Sequence, residues 1–387
     1  MLIKNGMIHD AVNREAYVAD ILIADGKIKA IEKKIAAAEG ETVIDAAGKQ
    51  VYPGFVEAHC HMGLAGKYGL GDSTSDHNER NEPIASHLRA IDAIDPFDLN
   101  FEHARKGGVT TVCAGPGSRN IIGGTFAALK TIGICVDEMA IKPEVAMKCA
   151  FGENITKAYG DKKLSSRMTL AAIFRETLTK AERYRMAVDA ANGDVSKYPT
   201  YDAKLHALLP VMRGEMPLKA HAHQANDILT AIRIAKEFGV KMTLEHVTEG
   251  HLIVEQLKAF DCPMAIGPSF ANASKLELRN KSWETAAVLS KAGCHVSITT
   301  DSPVVGQANL PLCAGFAVKA GMEPFEALKA ITIYPAEHIG VADRVGSIAV
   351  GKDADIVICD GNPFEIATRV EYVLIDGNVV ADHPEFK

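Results

Sequence analysis

Between about residues 53 and 345 the chain repeats one pattern, a short apolar run bounded by glycine or proline followed by a longer helical segment. Strands that alternate with helices call for a parallel sheet, because a crossover helix is what returns the chain to the same end of the next strand. Eight runs are legible. The first is "PGFVEAHCHMG", followed by "VTTVCAG", "TFAALKTIG", "EVAMKCAFG", "PLKAHAH", "KMTLEHV", "PMAIGPS" and "CHVSITTD". Helical segments fit at Pro96 to Lys106, closed by Gly107 and Gly108, at Ser166 to Ala191 and at Tyr201 to Arg213. Others fit at Asp227 to Phe238, Gly250 to Ala259 and Ser282 to Ala292, with more after Pro311 and Pro324. The arrangement predicts an α/β fold, a closed (β/α)8 TIM barrel over residues 53–345, with active residues at the C-terminal ends of its strands.

The two ends read differently. "MLIKNGMIHD", "ADILIADGKIKAIEKKI" and "TVIDAAGKQVYPG" at the start, and "GSIAVGKDADIVICDGNPF" and "VEYVLIDGNVVAD" at the close, are short strands with "NG" and "DG" turn signals. Each end alone has too few strands to stand by itself. Residues 1–52 and 346–387 are therefore expected to combine into one small β-sandwich domain.

The 387 residues are 47% hydrophobic and 24% charged, enough to bury a large core. A net charge of −7 offers no basic field for nucleic acid or anionic lipid. No run approaches the roughly 18 apolar residues of a membrane span, and the first twenty residues lack a continuous apolar core of the leader type. A cytoplasmic protein is expected, with a small-molecule substrate and a homo-oligomeric state. The eight cysteines form no Cys-X-X-Cys pair, and several sit inside apolar runs where buried thiols are common.

Polar residues break the apolar runs where a barrel would put its site. His59 and His61 end the first strand, Lys148 lies late in the fourth, His221 and His223 end the fifth, His246 ends the sixth and Asp301 ends the eighth. Residues i and i+2 of a strand share a face, so His59 and His61 converge while Cys60 points away. Taken singly, each histidine reads as a satisfied interior imidazole and Asp301 as a turn or capping residue. Their common position on one rim points instead to a shared metal site.

Together these segments resemble the amidohydrolase superfamily over nearly the whole chain, in particular its imidazolonepropionase-related and prolidase-like branch. The resemblance rests on "PGFVEAHCHMG", "GGVTTV", "VAMKCAFG", "KAHAH", "LEHVTEGH" and "TTDSPV", with "AAGKQVYPG" and "GSIAVGKDADIVI" similar to the split sandwich of that superfamily. It implies that His59, His61, His221, His246 and Asp301 hold one or two divalent ions, zinc foremost. It also implies a role for Lys148. An ammonium has no lone pair for a cation, so Lys148 would serve only as a CO2-derived carbamate bridging two ions; the alternative is a plain lysine paired with Glu153 or another acid. Glu153 is also the alternative ligand from that strand. His223, one layer above His221, is expected to contact substrate, stabilise an oxyanion or bond outside the site.

The implied reaction is hydrolysis of a C–N bond in a small cyclic amide, N-acyl or dipeptide-like compound. A metal-bound hydroxide attacks the carbonyl, and Asp301 moves its proton to the leaving nitrogen. A mononuclear relative acting as an imidazolonepropionase-like ring opener or as a deaminase is the alternative. Deaminases of the superfamily commonly place a glutamate in the fifth-strand motif, and "HAHQAND" has none. A barrel that had lost its ligands would be a binding protein, yet every expected ligand position is filled. Two segments face the substrate in this reading. One is the long loop from Met62 to Asp95. The other is "AGPGSRNIIGG", where Arg119 and Asn120 suit a substrate carboxylate or, equally, sit in an exposed turn. Tyr159, with the basic residues Lys157 and Lys162, is a further substrate-binding candidate.

Overall fold

The computed structural model describes residues 1–66, 75–160 and 164–382. Five strands open the chain: β1 (Leu2–Ile8), β2 (Tyr17–Ala24), β3 (Lys27–Glu32), β4 (Val43–Asp45) and β5 (Gln50–Pro53). Eight more form the barrel: β6 (Phe55–Cys60), β7 (Val109–Ala114), β8 (Ile122–Lys130), β9 (Ala140–Ala150), β10 (Leu218–Ala222), β11 (Met242–His246), β12 (Met264–Ile266) and β13 (Val296–Ile298). Three end the chain: β14 (Ile356–Cys359), β15 (Val370–Ile375) and β16 (Asn378–Asp382).

The two chain ends do combine, as one continuous sheet in the order β16-β15-β14-β5-β1-β2-β3, with β4 on β1. The seam is the antiparallel pair of β5 and β14, which sets Tyr52 opposite Val357. β1 pairs with β4 through Leu2–Lys4 and with β5 through Met7 and Ile8, so the sheet curls at its middle. Gly6 lies between those stretches, where a Cβ would come within 2.5 Å of Val51 Cγ2. The curled sheet encloses its own core of Ile3, Ile21, Val51, Ile356 and Leu374.

The barrel sheet runs β6 to β13 in sequence order. Its strands are buried on both faces, as helix-covered parallel sheets require. One strand departs from the expected alternation. β8 is antiparallel to both β7 and β9. The links on either side of it are short, and an antiparallel neighbour needs no crossover helix. The turn Gly115–Ile121 is consequently brought to the same rim as the C-terminal ends of the parallel strands. Helix Leu99–Lys106 starts where Asp98 accepts a hydrogen bond from the amide of Asn100 and stops before Gly108 at φ +80°. The segment expected as one helix from Tyr201 to Arg213 is two short ones, Ala203–His206 and Leu209–Met212, separated before Pro210.

Between β13 and β6 the barrel is held by side chain and loop contacts. The Thr299 hydroxyl donates to the carbonyl of His59 at 2.8 Å, and the amide of His61 donates to the carbonyl of Ser302 at 2.7 Å. That staple seats the loop after β13 against the two histidines. The barrel and the end sheet are joined by Lys130 at the end of β8, whose buried Nζ lies 2.7 Å from Asp355, 3.0 Å from Asp353 and 3.3 Å from Asp376.

Candidate metal centre

Five imidazoles meet at the strand ends. His59, His61, His221, His223 and His246 are all at most 7% exposed. In each of them Nδ1 faces an outer partner. His61 donates from Nδ1 to the carbonyl of Gly115 at 2.7 Å, and His246 to that of Gly267 at 2.8 Å. His221 is hydrogen-bonded with Ser118 at 2.8 Å and His223 with Thr248 at 2.7 Å. Nδ1 of His59 faces Oε2 of Glu245 at 3.2 Å. A carbonyl can only accept, so His61 and His246 carry the proton on Nδ1 and keep the Nε2 lone pair free. Outer bonds of this kind are what orient metal-binding histidines.

Asp301 completes the set. Its Oδ1 lies 3.2 Å from Nε2 of His61 and 3.6 Å from Nε2 of His59. It is shielded from solvent and receives no hydrogen bond from the described residues. Ligand atoms of His59, His246 and Asp301 lie within 4.8 Å of one another, and so do those of His221, His223 and His246. Neutral imidazoles with a carboxylate fit zinc and its first-row neighbours. Burial depresses His59, His221 and His223 well below the usual histidine range and takes His246 to about 4, so the rings stay neutral and able to ligate at ordinary pH.

Backbone geometry re-aims two of these residues. His246 has φ +74° and Asp301 φ +51°, in the left-handed region that non-glycine residues seldom adopt. Strand alternation would set Glu245 and His246 on opposite faces. The turned backbone at His246 instead lets both reach the centre.

Lys148 is fully buried, with Nζ 3.4 Å from Nε2 of His59. Burial brings it down to about 8, against the raising influence of Asp301 and Glu245. Glu153 does not pair with it; that carboxylate binds Lys157 at 2.9 Å. Among the substrate candidates, Arg119 lines a cavity of about 800 Å³ together with His61, His221, His223, His246 and Asp301. No acid pairs with the Arg119 guanidinium among the described residues. Asn120 and Tyr159 lie outside the cavity wall. The Tyr159 hydroxyl donates to the carbonyls of Glu79 and Glu82, at 3.1 and 2.8 Å, and accepts from Asn120 at 3.0 Å. Asn120 also donates to both carbonyls. These two side chains tie down the loop after β6 where substrate contact was expected. Lys162 and part of the Met62 to Asp95 loop lie outside the described residues.

Three further residues, Glu245 and Glu57 buried and His77 half-buried, carry no signal in the sequence. Glu245 reaches His59, and Glu57 accepts from the amide and hydroxyl of Thr300, fixing the approach to Asp301. His77 lines the cavity with its ring 5.3 Å from that of His61, and burial lowers it to about 3. The strand parity of "KMTLEHV" concealed Glu245, and nothing in the spacing of "SDHNER" marks His77.

The barrel with this rim defines a metal-binding hydrolase class. The chain belongs to the Amidohydrolase family, whose pattern it matches over residues 50–381. A solved amidohydrolase from Thermotoga maritima MSB8 is 37% identical, superposes with a TM-score of 0.94 and matches 98% of this chain and 99% of its own. The amidohydrolase tasK of Hapsidospora irregularis is 27% identical over 95% of this chain, which spans only 40% of that longer relative. The imidazolonepropionase of Symbiobacterium thermophilum is 24% identical over 87% of this chain and 81% of its own length. Other relatives carry the names adenine deaminase and dihydroorotase. Among the described residues no helix is long and apolar enough to cross a membrane.

Proposed function

We propose that this protein is a metal-dependent hydrolase that cleaves the C–N bond of a small cyclic amide, N-acyl or dipeptide-like compound bearing a carboxylate. The observation that carries the reading is the convergence of His59, His61, His246 and the unpartnered Oδ1 of Asp301 on one point at the cavity floor. These residues would hold a divalent ion, zinc in this reading, which would supply Lewis acidity to a carbonyl and to water. In this reading Asp301 accepts the proton of the attacking water and returns it to the leaving nitrogen, as general base and then acid. His223 projects Nε2 into the same space and can steady the carbonyl oxygen. Arg119 holds the substrate carboxylate through a charge-assisted pair.

Lys148 would add a further anionic ligand as a carbamate, formed when its neutral amine adds to CO2 and releases a proton, and its burial against His59 supports that modification. The purified, zinc-loaded protein should be assayed against N-acyl amino acids, Xaa-Pro dipeptides, cyclic ureides and aminopurines. Release of amine or opening of a ring, without free ammonia, supports the proposal. Ammonia from aminopurines alone would replace it with ring deamination.

A further inference from the structure

Beneath the metal centre lies a buried polar cluster that the reaction above does not use. Glu245 is fully buried, and its Oε1 lies 2.8 Å from the Thr243 hydroxyl, 3.0 Å from Nζ of Lys219 and 3.0 Å from Nε2 of His338. Its other oxygen, Oε2, lies 3.2 Å from Nδ1 of His59 and takes no hydrogen bond from the described residues. Lys219 and His338 are themselves 3.1 Å apart. These groups come from four elements, β6, β10, β11 and the helix Ile333–His338 after the barrel.

The arrangement solves a specific problem. Two lysines, Lys148 and Lys219, sit in register on neighbouring strands and both point inward, each 5.6 Å from the centre of the Phe126 ring. An unpaired ammonium in that interior is costly, and Glu245 neutralises the lower one. A carboxylate paired with Lys219 and set against Nδ1 favours the proton of His59 on that nitrogen and its lone pair on Nε2, which faces Asp301 and Lys148.

We propose that Glu245 is the positioning residue of the metal centre, anchored from below by Lys219 and His338 and setting the tautomer and angle of His59. The proposal rests on the metal reading above and adds to it a residue that touches neither ion nor substrate. Removing Glu245 alone would strand Lys219, so the decisive variant is charge-balanced, Glu245→Met/Lys219→Met, with Glu245→Gln as the conservative companion.

The zinc affinity of the full-length chain is measured by competition with a chromogenic chelator, and the melting temperature of each metal-free form is recorded beside it. The double variant should melt within a few degrees of wild type and bind its tightest zinc about 10- to 100-fold more weakly. Glu245→Gln, which keeps an oxygen for His59, should fall between the two. Wild-type affinity in the double variant overturns the proposal, as does a loss of affinity that merely follows a collapse in melting temperature. A wild-type chain that takes up no zinc overturns the metal reading and this proposal together.

Discussion

Oδ1 of Asp301 lies 3.2 Å from Nε2 of His61, and no described residue donates a hydrogen bond to it. A shielded carboxylate oxygen left open among imidazole nitrogens is a place for a cation and for a proton in transit. Asp301→Asn keeps the shape and removes both charge and basicity. Its kcat should fall by about 100- to 10,000-fold, the range for loss of general acid–base catalysis. Steady-state rates on the best substrate of the panel check this; a variant within tenfold of wild type would remove Asp301 from the proton path.

Arg119 stands on the Gly115–Ile121 turn that antiparallel β8 brings to the rim, and it lines the cavity without an acid partner among the described residues. Arg119→Gln should raise KM about 10- to 100-fold for a carboxylate-bearing substrate, the equivalent of about 1.5–3 kcal/mol for a charge-assisted bond, and leave kcat nearly unchanged. The matching substrate amide should show no such dependence. Equal effects on both would mean that Arg119 acts on the loop and not on the carboxylate.

Burial takes both His246 and His338 down to about 4 in the folded chain. An unfolded imidazole titrates near about 6.5, so between these values the unfolded chain binds more protons than the folded one. The stability of the metal-free protein is therefore full above about pH 6.5 and declines as pH falls towards about 4. Its melting temperature should drop from pH 7 to 6 and again to 5. A flat profile over that window would show that these rings are not held neutral.

Lys130 bridges barrel and end sheet, with Asp353 and Asp355 buried around it. Lys130→Met leaves those carboxylates without their shared cation and should cost about 3–5 kcal/mol in chemical denaturation. Adding Asp355→Asn should recover part of the loss. A single variant as stable as wild type would mean that the cluster does not tie the two sheets together.

Much of the site was legible because strand ends announce themselves. Period-two spacing in "HCH" and "KAHAH" put His59, His61, His221 and His223 on inward faces, and Lys219, two residues before His221, follows the same rule although it was passed over. Glu245 was hidden because its neighbour His246 breaks the alternation with a left-handed backbone, which no local pattern betrays. A buried apolar run looks the same in either direction, so the sequence of β8 is equally compatible with a parallel strand. The glycine-rich "GPGSRN" before it was the turn signal that could have identified the reversal. Asn120 and Tyr159 have the chemistry of substrate contacts, and only tertiary structure shows that they spend it on the carbonyls of Glu79 and Glu82.

A carbamate on Lys148 would make a second ion at the metal centre depend on that residue. Metal content per chain, measured on protein expressed with zinc and bicarbonate, tests it most directly for wild type and Lys148→Ala. About two ions are expected in wild type, falling to one or fewer in the variant. One ion in both would contradict the carbamate bridge, and none in either would contradict the metal centre itself.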